Sequence, residues 1–149
     1  FHYRRILNVT GEQMQLMKDR EIDVILPLPF VCYPDASGQY GRYLLQSDID
    51  IMLDVLKEQD RKYFEEVLNI LKMPYLYNYN MLIARKEVFD DYCSWLFPIL
   101  KETAYRCEMR REKRMPRYIG RIGEVLTSLY FMQNIKKWRI AHAEKIWRV

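Results

Sequence analysis

Residues 75–89 read Tyr75-Leu76-Tyr77-Asn78-Tyr79-Asn80-Met81-Leu82-Ile83-Ala84-Arg85-Lys86-Glu87-Val88-Phe89. The first ten are rich in Tyr, Leu and Ile and spell a strand. From Lys86 the apolar residues change to three-four spacing at Val88, Phe89, Tyr92, Trp95, Leu96, Ile99 and Leu100. That period predicts a helix to about Cys107, kinked at Pro98. A strand running directly into a long helix is the unit from which α/β folds are built.

The alternation recurs on both sides. Thr10 and Gln13 spell a capping box for a helix over 11–20, and Ile22 to Leu26 reads as a short buried strand stopped by Pro27 and Pro29. Pro34-Asp35-Ala36-Ser37-Gly38 then reads as a loop, of the kind that carries binding groups at strand ends. Ser47 is the expected cap of a helix with Ile51, Met52, Val55 and Leu56 on its apolar stripe. Tyr63, Phe64, Val67, Leu68 and Leu71 mark the next helix, ended by Pro74. Downstream, a last helix carries Ile122, Val125, Leu126, Leu129 and Tyr130 on one side, and the basic tail after it receives no element.

Four or more helices against two or three strands is lopsided. The expectation is therefore an α/β domain, single over residues 1–149, of which this chain is the helix-rich second half. The opening Phe1-His2-Tyr3-Arg4-Arg5, an apolar residue followed at once by a polar cluster, reads as the end of a strand that begins earlier.

Composition narrows the function classes. With 149 residues, 50% of them hydrophobic and 30% charged, the chain has the balance of a globular domain and not of a disordered tail. The longest apolar run, Val24 to Tyr33, is interrupted by Pro27 and Pro29 and is too short to cross a bilayer. Three cysteines without a CxxC, and two histidines, speak against a disulfide framework and a structural zinc, and suit a reducing cytoplasm. The net charge of +4 hides an asymmetry: residues 1–105 hold 12 basic and 16 acidic side chains, residues 106–149 hold 12 and 4. The last third is thus a candidate surface for an anionic partner such as lipid headgroups at the inner membrane face. No nucleic-acid module is spelled, so nucleic acid is not expected.

Several clusters can carry chemistry. In His2-Tyr3-Arg4-Arg5 the arginine forks suit phosphate oxygens, with a solvated strand end as the plain alternative. Asp48-Ile49-Asp50 is a literal DxD, the pattern that holds a divalent metal in many nucleotide-sugar enzymes. Ser47 and Asp50 as a helix-capping pair explain it better, and a metal-binding DxD belongs at a strand end, so the cofactor stays open: a divalent metal is possible but not supported by this DxD. Asn80 can hydrogen-bond a hydroxylated ligand, and Tyr77 and Tyr79 can stack on a sugar ring; the alternative is an ordinary strand with a polar turn. Glu124 shares a face with Arg121 and Ser128, away from the apolar stripe. Such a glutamate is either solvated or, facing a cleft, a general base. Seven basic residues between Arg106 and Arg121 form either an anion-binding loop or a mobile basic one.

Five blocks in order carry a resemblance: His2-Tyr3-Arg4-Arg5; Asp23-Val24-Ile25-Leu26-Pro27; Tyr79-Asn80-Met81-Leu82-Ile83; Phe89 to Leu100; and Arg121-Ile122-Gly123-Glu124-Val125-Leu126. Together they resemble a bacterial family known as domain of unknown function 4422, whose members look like glycosyltransferases of capsular and exopolysaccharide gene clusters. The resemblance implies a GT-A-like mixed sheet binding a nucleotide sugar on its first half and a saccharide acceptor on its second. It further implies that His2, Arg4 and Arg5 stabilise the diphosphate with little need for metal. Tyr77, Tyr79, Asn80 and Arg121 would then contact substrate, and Glu124 would deprotonate the acceptor hydroxyl.

Overall fold

The computed structural model describes residues 5–77 and 79–147. At its centre is a helix, Tyr118–Gln133, in which every residue from Ile122 to Phe131 is buried. The expected stripe of Ile122, Val125, Leu126, Leu129 and Tyr130 packs as anticipated, but the opposite side is buried as well. That is tolerable because its polar groups are paired: Thr127 Oγ1 donates to the Gly123 carbonyl, and Ser128 Oγ lies 3.0 Å from the Glu124 carbonyl. Glu124 is consequently not on a solvated face.

In chain order the elements are β1 (Arg5–Leu7), α1 (Gly11–Asp19), β2 (Val24–Pro27), β3 (Phe30–Val31), α2 (Ala36–Tyr40), α3 (Gln46–Gln59) and α4 (Arg61–Leu71). Then come β4 (Tyr75–Leu76), β5 (Ile83–Ala84), α5 (Lys86–Met109), the central helix α6 (Tyr118–Gln133), β6 (Ile140–Ala143) and β7 (Lys145–Trp147). Strand β2 is buried along its whole length, pairing antiparallel with β5 and parallel with β6, so the sheet is mixed. Two ribbons flank it, β1 with β7 and β3 with β4, both antiparallel. Helix α3 packs on α4 and α5, which both pack on α6, and these helices share one apolar core with Val24 and Leu26 of β2.

Several local expectations are corrected. The strand over 75–84 is two strands separated by a turn, in which Tyr79 and Asn80 take left-handed backbone conformations with φ of 76° and 46°. The pleat cannot continue through such residues. The backbone groups there turn to α6 instead: Ser128 Oγ accepts from the Tyr77 N–H at 2.9 Å and lies 3.1 Å from the Tyr77 carbonyl. Residues 34–38 are not all loop, since Asp35 caps α2 by accepting from the Gly38 N–H at 2.7 Å. Ser47 does not cap α3: the Asp48 carboxylate accepts from the Leu45 N–H at 3.2 Å, and Ser47 donates to Glu112 at 2.6 Å. In α4, Ile70 takes the buried place expected of Leu68, which is exposed. Phe89 of α5 is likewise half exposed, while Pro98 lies inside a helix that continues past it. The unassigned tail forms β6 and β7.

The basic stretch is partly neutralised from within. Arg114, with 8% of its side chain exposed, binds Asp48, with 1% exposed, at 2.6 Å. Arg106 bridges Glu58 and Glu102. Arg110, Arg111, Lys113 and Arg117 remain exposed around them. Among the described residues no helix is long and apolar enough to cross a membrane.

Candidate functional site

The turn at Tyr79 and Asn80 is fixed by α6, and Glu124 is the residue that fixes it. Its Oε1 accepts from the Tyr79 N–H at 3.0 Å, its Oε2 accepts from the Tyr40 hydroxyl at 2.7 Å, and Arg121 Nη1 lies 3.5 Å from Oε2. Glu124 as a whole is only 6% exposed, so these partners replace water around its carboxylate. Burial first, and the carboxylate second, push the Tyr40 phenol well above its ordinary range, which keeps Tyr40 a proton donor. Each carboxylate oxygen still has a lone pair beyond the hydrogen bond that it accepts.

Tyr79 also gathers cations. The Arg5 guanidinium stands 3.9 Å from the centroid of the Tyr79 ring and 4.3 Å from that of Trp147. The Lys145 ammonium stands 4.4 Å from the Tyr79 ring and 5.7 Å from that of Phe30. On the Glu124 side, the Arg121 guanidinium lies 4.5 Å from the Tyr43 ring. Burial lowers the Lys145 ammonium from its usual range and the Arg5 charge lowers it further, while Glu124 opposes both. Two cations thereby meet on the Tyr79 ring, and a third, Arg121, joins them through the Glu124 carboxylate that accepts from the Tyr79 N–H. Such a donor set suits phosphate oxygens, whereas a divalent metal asks for several oxygen ligands. Among the described residues no group of three or more His, Cys, Asp or Glu is placed to hold a metal, and the DxD aspartates are otherwise engaged, Asp48 with Arg114 and Asp50 with the Gln46 amide at 2.9 Å.

The other candidates are placed differently. Asn80 donates to the Gly120 carbonyl at 2.9 Å and its Oδ1 lies 3.2 Å from Thr127 Oγ1, so its amide holds the turn against α6. Asn80 and Gly123 also border an apolar groove of about 580 Å³ whose walls include Ile6, Met81, Phe89 and Phe97. Tyr77 is buried and its hydroxyl lies 3.0 Å from His142 Nε2, with the two rings stacked. His2 and Arg4 lie outside the described residues. Arg5, Tyr79, Arg121 and Glu124 are therefore the sequence candidates that the fold brings together. Sequence reasoning missed Tyr40, Lys145 and Trp147. The alternation Lys145-Ile146-Trp147 was a usable strand signal, whereas nothing local to Tyr40 announces its partner, 84 residues away.

The glycines of α6 give a direct check on this packing. A Cβ on Gly120 would meet nothing within 4 Å, whereas one on Gly123 would lie 3.3 Å from the pinned Asn80 Oδ1. Gly120→Ala is expected to stabilise by about 0.5–1 kcal/mol through helix propensity alone. Gly123→Ala should lose that gain and more, because overpacking costs about 1–3 kcal/mol. Thermal melts of the two variants check the difference, and equal melting temperatures would mean that Asn80 is not held as described.

A family model described as a domain of unknown function (DUF4422) matches residues 1–135. Among solved structures the chain is similar to a WbbM bifunctional glycosyltransferase in its apo form, with a TM-score of 0.78 at 20% identity. The similarity covers 99% of this chain and 32% of that one, so the chain spans about a third of that protein's length. No curated protein matches it in sequence. The fold is thus glycosyltransferase-like, as a mixed α/β arrangement.

Proposed function

The chain belongs to the DUF4422 family, and from that premise we propose that it serves a glycosyltransferase that moves a sugar from a nucleoside-diphosphate sugar to a polysaccharide or glycolipid acceptor. The observation that carries this reading is the meeting of Arg5 and Lys145 on the Tyr79 ring, beside the buried Glu124 that accepts from the Tyr79 N–H and pairs with Arg121. In the reaction the acceptor oxygen bonds to the anomeric carbon while the bond from that carbon to the diphosphate breaks. The departing electron pair stays on the diphosphate, whose charge the cations meet, with His2 and Arg4 as further phosphate contacts. The hydroxyl proton passes to Glu124. Tyr79, with Tyr77 and Asn80 behind it, shapes the acceptor side. The reading places the work on the cytoplasmic side, at the membrane periphery.

A second reading is favoured by the exposed Arg110, Arg111, Lys113 and Arg117: a non-catalytic module that docks on an anionic surface. Calorimetry of the chain with a panel of nucleotide sugars separates the two. Binding of at least one donor, weakened by Arg5→Ala, is expected. Indifference to every donor, combined with salt-sensitive adhesion to anionic vesicles, would favour the module.

A further inference from the structure

We propose that the C-terminal strand β7, which lies beyond the matched residues 1–135, completes the anion site, with its Lys145 and the Arg5 of β1 acting as a two-cation clamp on the diphosphate of the donor. The assignment rests on the glycosyltransferase reading and deepens it by naming a binding residue from a segment that the family match does not reach.

The argument starts from register. In the β1–β7 ribbon Arg5 pairs with Trp147 and Leu7 with Lys145. Side chains two apart on a strand share a face, so Arg5, Lys145 and Trp147 all project from the same side of the ribbon. Tyr79 sits against that side, within 4.4 Å of both cationic groups. Burial lowers the Lys145 ammonium and the neighbouring Arg5 charge lowers it further, against the opposing pull of Glu124. A ligand with two adjacent phosphates relieves that repulsion and matches the geometry: a planar fork from Arg5 and a compact point charge from Lys145. The ring of Tyr79 contacts both cations by cation–π interaction, and its backbone N–H is held by the Glu124 carboxylate. The diphosphate is thereby held beside the residue assigned as base.

The test is calorimetry of uridine diphosphate and of inorganic pyrophosphate on the parent chain and on Lys145→Met, Lys145→Arg and the charge control Lys62→Met, a lysine exposed on α4. Lys145→Met is expected to weaken both ligands by about tenfold or more, Lys145→Arg to recover most of the loss, and Lys62→Met to change neither. Circular dichroism of each variant confirms that the ribbon change leaves the fold intact. Parent-like affinity in Lys145→Met overturns the clamp while leaving the glycosyltransferase reading in place. Failure of the parent chain to bind either ligand overturns both together.

Discussion

Glu124→Gln is expected to lower sugar transfer by about 10²–10⁴-fold, the usual contribution of a general base, while donor affinity and melting temperature stay close to those of the parent. The substitution separates the two jobs that the structure gives this residue. A Gln side chain has the same shape, and its carbonyl can still accept from the Tyr79 N–H. Its amide can donate to the Tyr40 oxygen, because a hydroxyl both donates and accepts. What Gln cannot do is take a proton. Glu124→Ala differs: it leaves the buried Tyr40 hydroxyl without its carboxylate acceptor, at about 1–3 kcal/mol for an orphaned donor, and releases the part-buried Tyr79 N–H from α6. Steady-state transfer assays beside thermal melts resolve the pair. Transfer retained in Glu124→Gln would remove the base and leave Glu124 as the pin of the turn.

The largest effect on stability is expected at Asp48. Asp48→Ala takes the nearer of two carboxylates from the nearly enclosed Arg114 guanidinium, leaving it Glu112 at 3.3 Å, and it removes the acceptor for the Leu45 N–H at the start of α3. Breaking a buried pair from one side costs about 3–5 kcal/mol. Removing both partners, as in Asp48→Ala with Arg114→Met, should recover a large part, since no charge is then stranded. Urea denaturation of the single and double variants measures this directly, and a single variant within about 1 kcal/mol of the parent would contradict the enclosure of the pair. The nearby Cys107 thiol offers a second readout. Burial chiefly, and Asp48 next to it, push that thiol up to about 11, so loss of Asp48 should raise its reactivity toward alkylating reagents.

The difference between what could and could not be read along the chain has a physical pattern. The capping box at Thr10 and Gln13, the long period of α5 and the apolar side of α6 are local codes, and all three hold in the fold. The Asp48 carboxylate is held by Arg114, 66 residues away, and no local signal names that partner. The strand over 75–84 failed at Tyr79 and Asn80 because Ser128 and Glu124 capture its backbone groups. Such competition is invisible to strand propensity. Glu124 was selected by its helix block, yet its burial depends on Tyr40 from another element.

By itself, then, the sequence determined the α/β class, the family, the absence of a long apolar span and the residue types available for chemistry. These follow from periodicity, composition and ordered blocks, which are carried by neighbours in the chain. Only the tertiary structure decided that Arg5, Lys145, Tyr79, Arg121, Glu124 and Tyr40 meet, and that the basic stretch is partly spent on Asp48, Glu58 and Glu102. Their meeting depends on β1 pairing with β7 and on α6 being buried on every side. Both are contacts between segments far apart in the chain, fixed by packing and hydrogen-bond satisfaction once the core closes.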